Sequence, residues 1–197
     1  MTESQKTCHP HRSDRLPPLP DQDLSAEQRT AVQRISSGPR RGVIGPFIPL
    51  LRSPAAMEHL QGLGAYLRFE SSVPRALFEM SVLLTARAHD QEFEWNYHAP
   101  LARQAGLAEA IVESIARRET PSEMSAAEAA VFYLVSESLY RNEVSEQTYR
   151  NAVDQLGIQA AIDVVVATGY YSTLAMVMNF AQTPSCTPMP DAITLDR

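Results

Sequence analysis

The distribution of proline constrains this chain more than any other feature of its sequence. Eight of the fourteen prolines lie in residues 10–54 and three more in residues 184–190, which leaves only Pro74, Pro100 and Pro121 between them. Because proline removes a helical hydrogen bond and clashes with the preceding turn, long helices require proline-poor sequence. The sequence therefore predicts helices in the middle of the chain and extended arms at its ends.

Capping and terminating residues divide the proline-poor region into separate helices. Ser125-x-x-Glu128 is a capping box, Pro54 suits a first helical position, and Gly157 suits a helix end. Residues 40–54 are expected to form an irregular arm, and no segment has the alternation typical of a strand. The predicted helices span residues 24–36, 54–69, 75–89, 91–106, 107–118, 126–141, 145–157 and 158–181. The predicted fold class is all-α.

Length and composition indicate one globular domain. The 197 residues are 44% hydrophobic and 20% charged, and a chain of this length buries a core without a disulfide or a metal. We expect a proline-rich arm over residues 1–22, a helical domain over residues 23–182 and a tail over residues 183–197. The formal charge of −6 argues against nucleic acid or an anionic membrane as a partner, since both attract basic surfaces.

Cysteine usage and hydropathy favour a soluble cytoplasmic protein. The two cysteines, Cys8 and Cys186, match neither a C-x-x-C redox pair nor a zinc spacing, and no apolar segment resembling a signal peptide precedes Pro17. Residues 158–181 are long enough to span a membrane, but Asp163 and other polar residues interrupt them. Apolar residues cover nearly all sides of this predicted helix, so we expect it to pack against both the core and a partner subunit.

Glu79 is the first candidate for chemistry. It is the only charged residue between Arg75 and Arg87, in a segment whose apolar residues already form a core face. Burial beside apolar groups raises the pKa of a carboxyl group, which suits it to proton transfer near neutral pH. The alternative interpretation is a structural glutamate that is exposed or paired with Arg75, four residues earlier.

A second candidate site lies in the segment Gln91-Glu-Phe-Glu-Trp-Asn-Tyr-His98. Glu94 and His98 are four residues apart and share a helix face, while Trp95 and its aromatic neighbours supply flat apolar walls. Pro100 is expected to kink the helix beside His98. A Glu–His pair among aromatic residues resembles a small-molecule acid/base site, and the alternative is a surface ion pair next to core aromatic residues.

The same segment contains four residues of the types that bind metal ions. His89, Glu92, Glu94 and His98 are close in sequence, but they form neither H-E-x-x-H nor a repeated E-x-x-H. His89 and His98 fall on different helix faces. We therefore expect no metal and no cofactor.

Several of these motifs together resemble the carboxymuconolactone decarboxylase/alkylhydroperoxidase D-like superfamily. The resemblance rests on the pattern Gly-Pro-Phe…Leu-Leu-Arg-Ser-Pro over residues 45–54 and on Glu79 placed nineteen residues before His98, with Glu-Phe-Glu-Trp over residues 92–95. Residues 166–179 look like the closing helix of that family. The resemblance covers roughly residues 24–181, which is most of the chain.

The resemblance also indicates which branch of this superfamily the sequence is most similar to. In the peroxidase branch a glutamate, a C-x-x-C motif and a histidine form a proton relay; Glu79 and His98 match the outer members, whereas Gln91 and Glu94 occupy the cysteine positions. Peroxide reduction needs a thiolate, which neither residue supplies. The resemblance therefore implies the branch without C-x-x-C, which includes decarboxylases and isomerases of ring-cleavage products.

The resulting expectation is an enzyme of aromatic-compound catabolism without a cofactor, in a helical bundle that assembles as a homotrimer or a dimer of trimers. It would decarboxylate or isomerise a small anionic substrate, an unsaturated carboxylic acid or lactone. Glu79, Glu94 and His98 are the expected catalytic residues, and Trp95 and Phe47 the expected substrate-binding residues. The alternatives are a structural or interaction protein with the same fold, or a peroxidase.

Overall fold

The computed structural model describes residues 14–185, and this part of the chain is built from α-helices without strands. A single 3-10 turn, Asp21–Asp23, precedes the first of them. The helices are α1 Ala26–Ser37, α2 Phe47–Leu50, α3 Pro54–Phe69, α4 Arg75–Ala88, α5 Glu92–Gln104, α6 Glu109–Ala116, α7 Ala126–Tyr140, α8 Glu146–Leu156 and α9 Ile158–Ala181. The all-α prediction is confirmed.

Local sequence signals explain where most of these helices begin and end. Ser125 and Glu128 form the predicted capping box of α7, and Ser25 forms a second one with Gln28 at α1. Gly157 has a φ of 79°, in the left-handed region that glycine adopts readily, where it separates α8 from α9. The chain therefore turns sharply between two helices without a longer loop.

The expected irregular arm over residues 40–54 is partly wrong, because it contains the short helix α2. Pro46 stands at the N-cap and Pro49 lies within the first turn, where the missing N–H of proline costs no helical hydrogen bond. Phe47 and Leu50 are buried. Core contacts thus support a turn of helix in a segment whose prolines make it resemble a loop.

The central element of the domain is α4. Ten of its fourteen residues are buried, and it packs against α5, α6, α7 and α9. The helix α9 packs on the other side of the core against α3, α7 and α8. Side chains on the α5-facing side of α4 therefore lie deep in the molecule, within reach of both α5 and α9.

The described ends of the chain meet beside the last helix. The backbone N–H of Arg15 donates to Ala181 O at 2.9 Å, and Arg52 donates to the carbonyl oxygen of Leu16 at 3.2 Å. Asn96 of α5 donates to Ser185 Oγ at 2.9 Å. Both ends are thus attached to the helices that carry the candidate site.

By length and composition, α9 is the one helix in residues 14–185 that could cross a membrane. Within the molecule, 56% of its most apolar window is buried, and buried positions such as Val164, Leu174 and Met178 face the core. A core helix passes the same length and composition test, so this feature is weak evidence for a membrane.

Candidate active site

Glu79 lies at the centre of a buried polar cluster. Its side chain is fully buried because α4 carries it into the core. Arg75, one turn earlier, pairs with Glu79 Oε1, while His98 Nδ1 lies 2.6 Å from Glu79 Oε2. The structural and the chemical interpretation of Glu79 are therefore compatible, because one oxygen pairs with Arg75 and the other with His98.

The helix α5 supplies the other members of the cluster. Gln91 caps α5 by accepting a hydrogen bond from the N–H of Phe93, and its amide donates to Asn179 Oδ1 of α9 at 2.9 Å. Glu94 and His98 follow on one face of the helix, with Glu94 Oε2 at 3.3 Å from His98 Nε2. Gln91 therefore positions α5, and Glu94 belongs to the polar cluster.

His98 lies between two carboxylates, one at each ring nitrogen. Burial alone would lower the pKa of His98, but the charges and hydrogen bonds of Glu79 and Glu94 outweigh it and raise the pKa above its ordinary value of 6.5. The rings of Tyr97 and Tyr171 lie edge-on to the imidazole, with centroids at 5.1 Å. The arrangement suits a buried histidine that holds a proton between two acids.

Glu94 and His98 line a cavity of about 190 Å³. Because an engineered cavity of about 150 Å³ binds benzene, this volume fits a small planar molecule. Glu94 Oε1 is buried and has no hydrogen-bond partner within residues 14–185. Glu94 therefore lines the cavity and has one oxygen that no described residue binds. The polar residues of the cavity wall are Arg40, Arg68, Glu94, Tyr97, His98 and Tyr171.

The aromatic wall agrees only in part with the sequence analysis. Phe47 lines the cavity as expected. Trp95 does not line it and is a core residue, 2% exposed. The correction has a geometric reason: Trp95 lies about 100° around the helix from Glu94, on the side of α5 that faces the core.

Three wall residues were missed by sequence reasoning, namely Arg40, Arg68 and Tyr171. They come from the loop after α1, the end of α3 and the middle of α9, far from the Glu94–His98 segment. The sequence carries one weak signal, since sixteen of its seventeen basic residues are arginine. That bias fits carboxylate recognition, but it singles out no position.

A second cavity of about 310 Å³ adjoins the first and shares Ile44, Phe93 and Tyr97 with it. The rings of Phe93 and Tyr97 are stacked, with centroids 6.2 Å apart. Residues from both described ends of the chain, including Pro18 and Pro184, complete its wall. The two ends thus help to enclose the space next to the acid/base residues.

The described part of the chain contains neither a cluster of potential metal ligands nor a cysteine. Residues 14–185 contain no group of three His, Cys, Asp or Glu side chains placed to hold a metal ion. Cys8 and Cys186, the only cysteines, lie outside the described residues. Positions 91 and 94, where the resemblance puts a redox pair, hold the glutamine cap of α5 and a carboxylate.

Comparisons with known proteins show what this chain resembles. Residues 54–136 match the carboxymuconolactone decarboxylase family, a segment that contains Glu79, Glu94 and His98. No curated protein matches the sequence significantly.

The fold is also found in a solved structure, described as an alkylhydroperoxidase AhpD core, an uncharacterized peroxidase-related protein from Ralstonia eutropha JMP134. The two share 15% sequence identity with a TM-score of 0.67, over 91% of this chain and 94% of the other. In its central segment the chain is thus similar to the carboxymuconolactone decarboxylase family, and in its helical fold it is similar to the AhpD core structure.

Proposed function

We propose that the protein is an acid/base enzyme that needs no cofactor and that isomerises or decarboxylates a small unsaturated carboxylic acid or lactone. The observation that carries the proposal is the buried chain Glu79–His98–Glu94, which ends at an unpartnered carboxylate oxygen beside a cavity. A carboxylate in that position exchanges a proton with a bound molecule, and the histidine behind it holds or releases the compensating proton.

Glu79, His98 and Glu94 have different roles in the proposed proton transfer. Both nitrogens of His98 are already engaged, so the oxygen that meets the substrate is Glu94 Oε1. His98 is the proton store behind it, and Glu79 holds the ring in place and stabilises its charged form. Arg75 keeps the second oxygen of Glu79 occupied.

In an isomerisation, Glu94 removes a proton from a carbon next to the conjugated system. The C–H bond breaks, and its electron pair moves onto the carbonyl oxygen to form a dienolate. Return of the same proton to a different carbon restores the carbonyl group and leaves the double bond shifted. No oxidant, reductant or metal enters this sequence.

In a decarboxylation, the carbon–carbon bond to a carboxylate breaks and CO₂ leaves. The electron pair enters the same kind of dienolate, which is then protonated at carbon by Glu94, with His98 supplying the proton. Both reactions therefore use one intermediate and one proton-transfer chain.

A panel of lactone acids and hexadienedioates, monitored by diene absorbance, tests the proposal. Because a positioned acid/base group contributes about 10²- to 10⁴-fold to rate, Glu94→Gln should lower kcat by that factor. Glu92→Gln is the matched control, since Glu92 lies on the same helix and does not line the cavity. Its kcat should stay near that of the wild type.

Two outcomes contradict the proposal. Full turnover by Glu94→Gln would remove the acid/base chain from the reaction, and no turnover of any panel member would favour a structural or interaction protein. A parallel assay with organic hydroperoxides and a dithiol should give no activity. Peroxide reduction would show that the peroxidase alternative is correct.

A further inference from the structure

We propose that Arg40 and Arg68 form a carboxylate-binding subsite in the wall of the same cavity. The inference rests on the proposed function and extends it, because it states which part of the substrate the protein holds and by which residues. Both arginines line the cavity with Glu94 and His98. The acid/base chain and the two guanidinium groups therefore face one bound molecule.

Arg68 is held by aromatic rings and has no carboxylate partner. Its Cζ lies 5.5 Å from the centroid of the Tyr97 ring and 5.4 Å from that of Phe69. Within residues 14–185 Arg68 belongs to none of the ion pairs, and its buried Nε has no hydrogen-bond partner. The Tyr97 side chain and the negative charge of Glu79 favour the charged form of Arg68, so it is a cation in the cavity wall without an ion-pair partner, which suits it to an anionic ligand.

Arg40, in the loop after α1, is held by an aromatic ring and a hydrogen bond. Its Cζ lies 4.8 Å from the centroid of the Phe47 ring, and a terminal nitrogen donates to Tyr170 Oη of α9 at 3.2 Å. Its Nε is also buried without a partner among the described residues. The guanidinium plane is thus fixed on an aromatic face, which leaves part of its donor edge unused.

Gly64 of α3 provides the space in which this contact forms. A Cβ at that position would lie 2.1 Å from Tyr170 Oη and 2.2 Å from the terminal nitrogen of Arg40. No side chain larger than a hydrogen atom fits there unless the pair moves. Three separate elements, α3, α9 and the loop after α1, therefore converge to position one guanidinium.

Two guanidinium groups in the wall of one cavity select a carboxylate over a neutral isostere. Charge-assisted hydrogen bonds to a planar fork are stronger than neutral ones and fix the orientation of the acid. The pairing stabilises the carboxylate as an anion, so the carboxylate held here is the one that the reaction retains. A substrate with one carboxylate would undergo proton transfer, and decarboxylation would require a second one.

Equilibrium binding of unreactive probes tests the subsite without relying on turnover. Calorimetric titrations would use benzoate, its neutral amide and 1,4-benzenedicarboxylate, which are planar and have no double bond that proton transfer can shift, at constant ionic strength. We expect wild type to bind both acids at least tenfold more tightly than the amide. Arg40→Gln and Arg68→Gln should each lower acid affinity about tenfold or more, and leave amide affinity unchanged.

Matched variants separate charge, geometry and folding. Arg41→Gln removes the same charge from an exposed neighbour that does not line the cavity, and should bind the acids as wild type does. Arg40→Lys and Arg68→Lys keep the charge and lose the planar fork, so their affinities should fall between wild type and the glutamine variants. Melting curves of each protein report any loss of folding.

The results also distinguish this inference from the proposed function. Acid binding that depends on Arg40 and Arg68, without turnover of any substrate, would support the subsite and overturn the enzyme. Turnover with equal binding of acid and amide would support the enzyme and overturn the subsite. The subsite is also overturned if wild type shows no saturable binding of either acid, or if Arg40→Gln behaves like Arg41→Gln.

Discussion

In the Glu79–His98–Glu94 chain, each residue occupies hydrogen-bonding atoms of the next one and so determines which atoms remain available. Glu79 is tied to Arg75 by one oxygen and to His98 by the other, so it serves as a fixed counter-charge. His98 then has a carboxylate at each nitrogen, and only Glu94 keeps an oxygen open. In the proposed function, proton exchange with the cavity is therefore assigned to one atom, Glu94 Oε1.

The raised pKa of His98 links this chain to stability. A group whose pKa is higher in the folded protein contributes stability that is complete below its unfolded value, here 6.5, and is lost as pH rises through the folded value. We expect the free energy of unfolding of wild type to exceed that of His98→Gln by more at pH 6 than at pH 9. Urea unfolding at both pH values measures the difference.

His59 provides the control for that experiment, because it lies on the exposed side of α3. His59→Gln, measured in parallel, reports the effect of replacing a histidine that lies outside the buried cluster. If His98→Gln shows the same difference from wild type at pH 6 and pH 9, the two carboxylates do not hold an extra proton on His98.

Among the helices, the sequence predicted those that carry their own boundary signals. Pro54, Pro74 and Gly157 fix helix ends through local backbone chemistry that operates before any tertiary contact forms. The short α2 was missed because its stability comes from burial of Phe47 and Leu50, which no local signal encodes. Tertiary packing decides such a segment, and a single sequence does not show it.

The helix α3 offers a test of packing at the level of one element. Gly64→Ala should lower the free energy of unfolding by about 1–3 kcal/mol, because the new methyl group overlaps Tyr170 Oη and Arg40. Gly62→Ala on the same helix meets no atom within 4 Å, so it should be neutral or raise stability by up to about 1 kcal/mol. Chemical denaturation of the three proteins checks both signs. A stable Gly64→Ala variant would show that Arg40 moves aside freely.

At the scale of the whole molecule, the candidate site combines residues that sequence spacing predicts with residues that it does not. Glu94 and His98 are one helical turn apart, and the nineteen-residue separation of Glu79 and His98 is part of the resemblance. Arg40 and Arg68 join this cavity wall only in the folded structure, in which α3 packs against α9 and α5 packs against α4. The acid/base chain was therefore predictable, whereas the residues proposed to bind the carboxylate depend on the three-dimensional arrangement.

The outer face of α9 leads to a prediction about assembly. Five large apolar residues on this face are 43–70% exposed, at the spacing of a single helical stripe: Ile158, Ile162, Val165, Met176 and Phe180. Gly169, at the centre of the same stripe, has open space around it. A continuous exposed stripe of this kind is typical of a subunit contact, so we propose that copies of the chain pack there.

Light scattering after size exclusion should give wild type a mass near three or six chains. Ile162→Glu places a charge in the middle of the stripe, where burial against another subunit would be costly, and should reduce the mass towards that of one chain. Tyr149→Glu is the control, since Tyr149 is equally exposed, at 50%, but lies on α8 outside the stripe. A wild-type monomer at micromolar concentration would contradict the assembly, and dissociation by Tyr149→Glu alone would move the contact to α8.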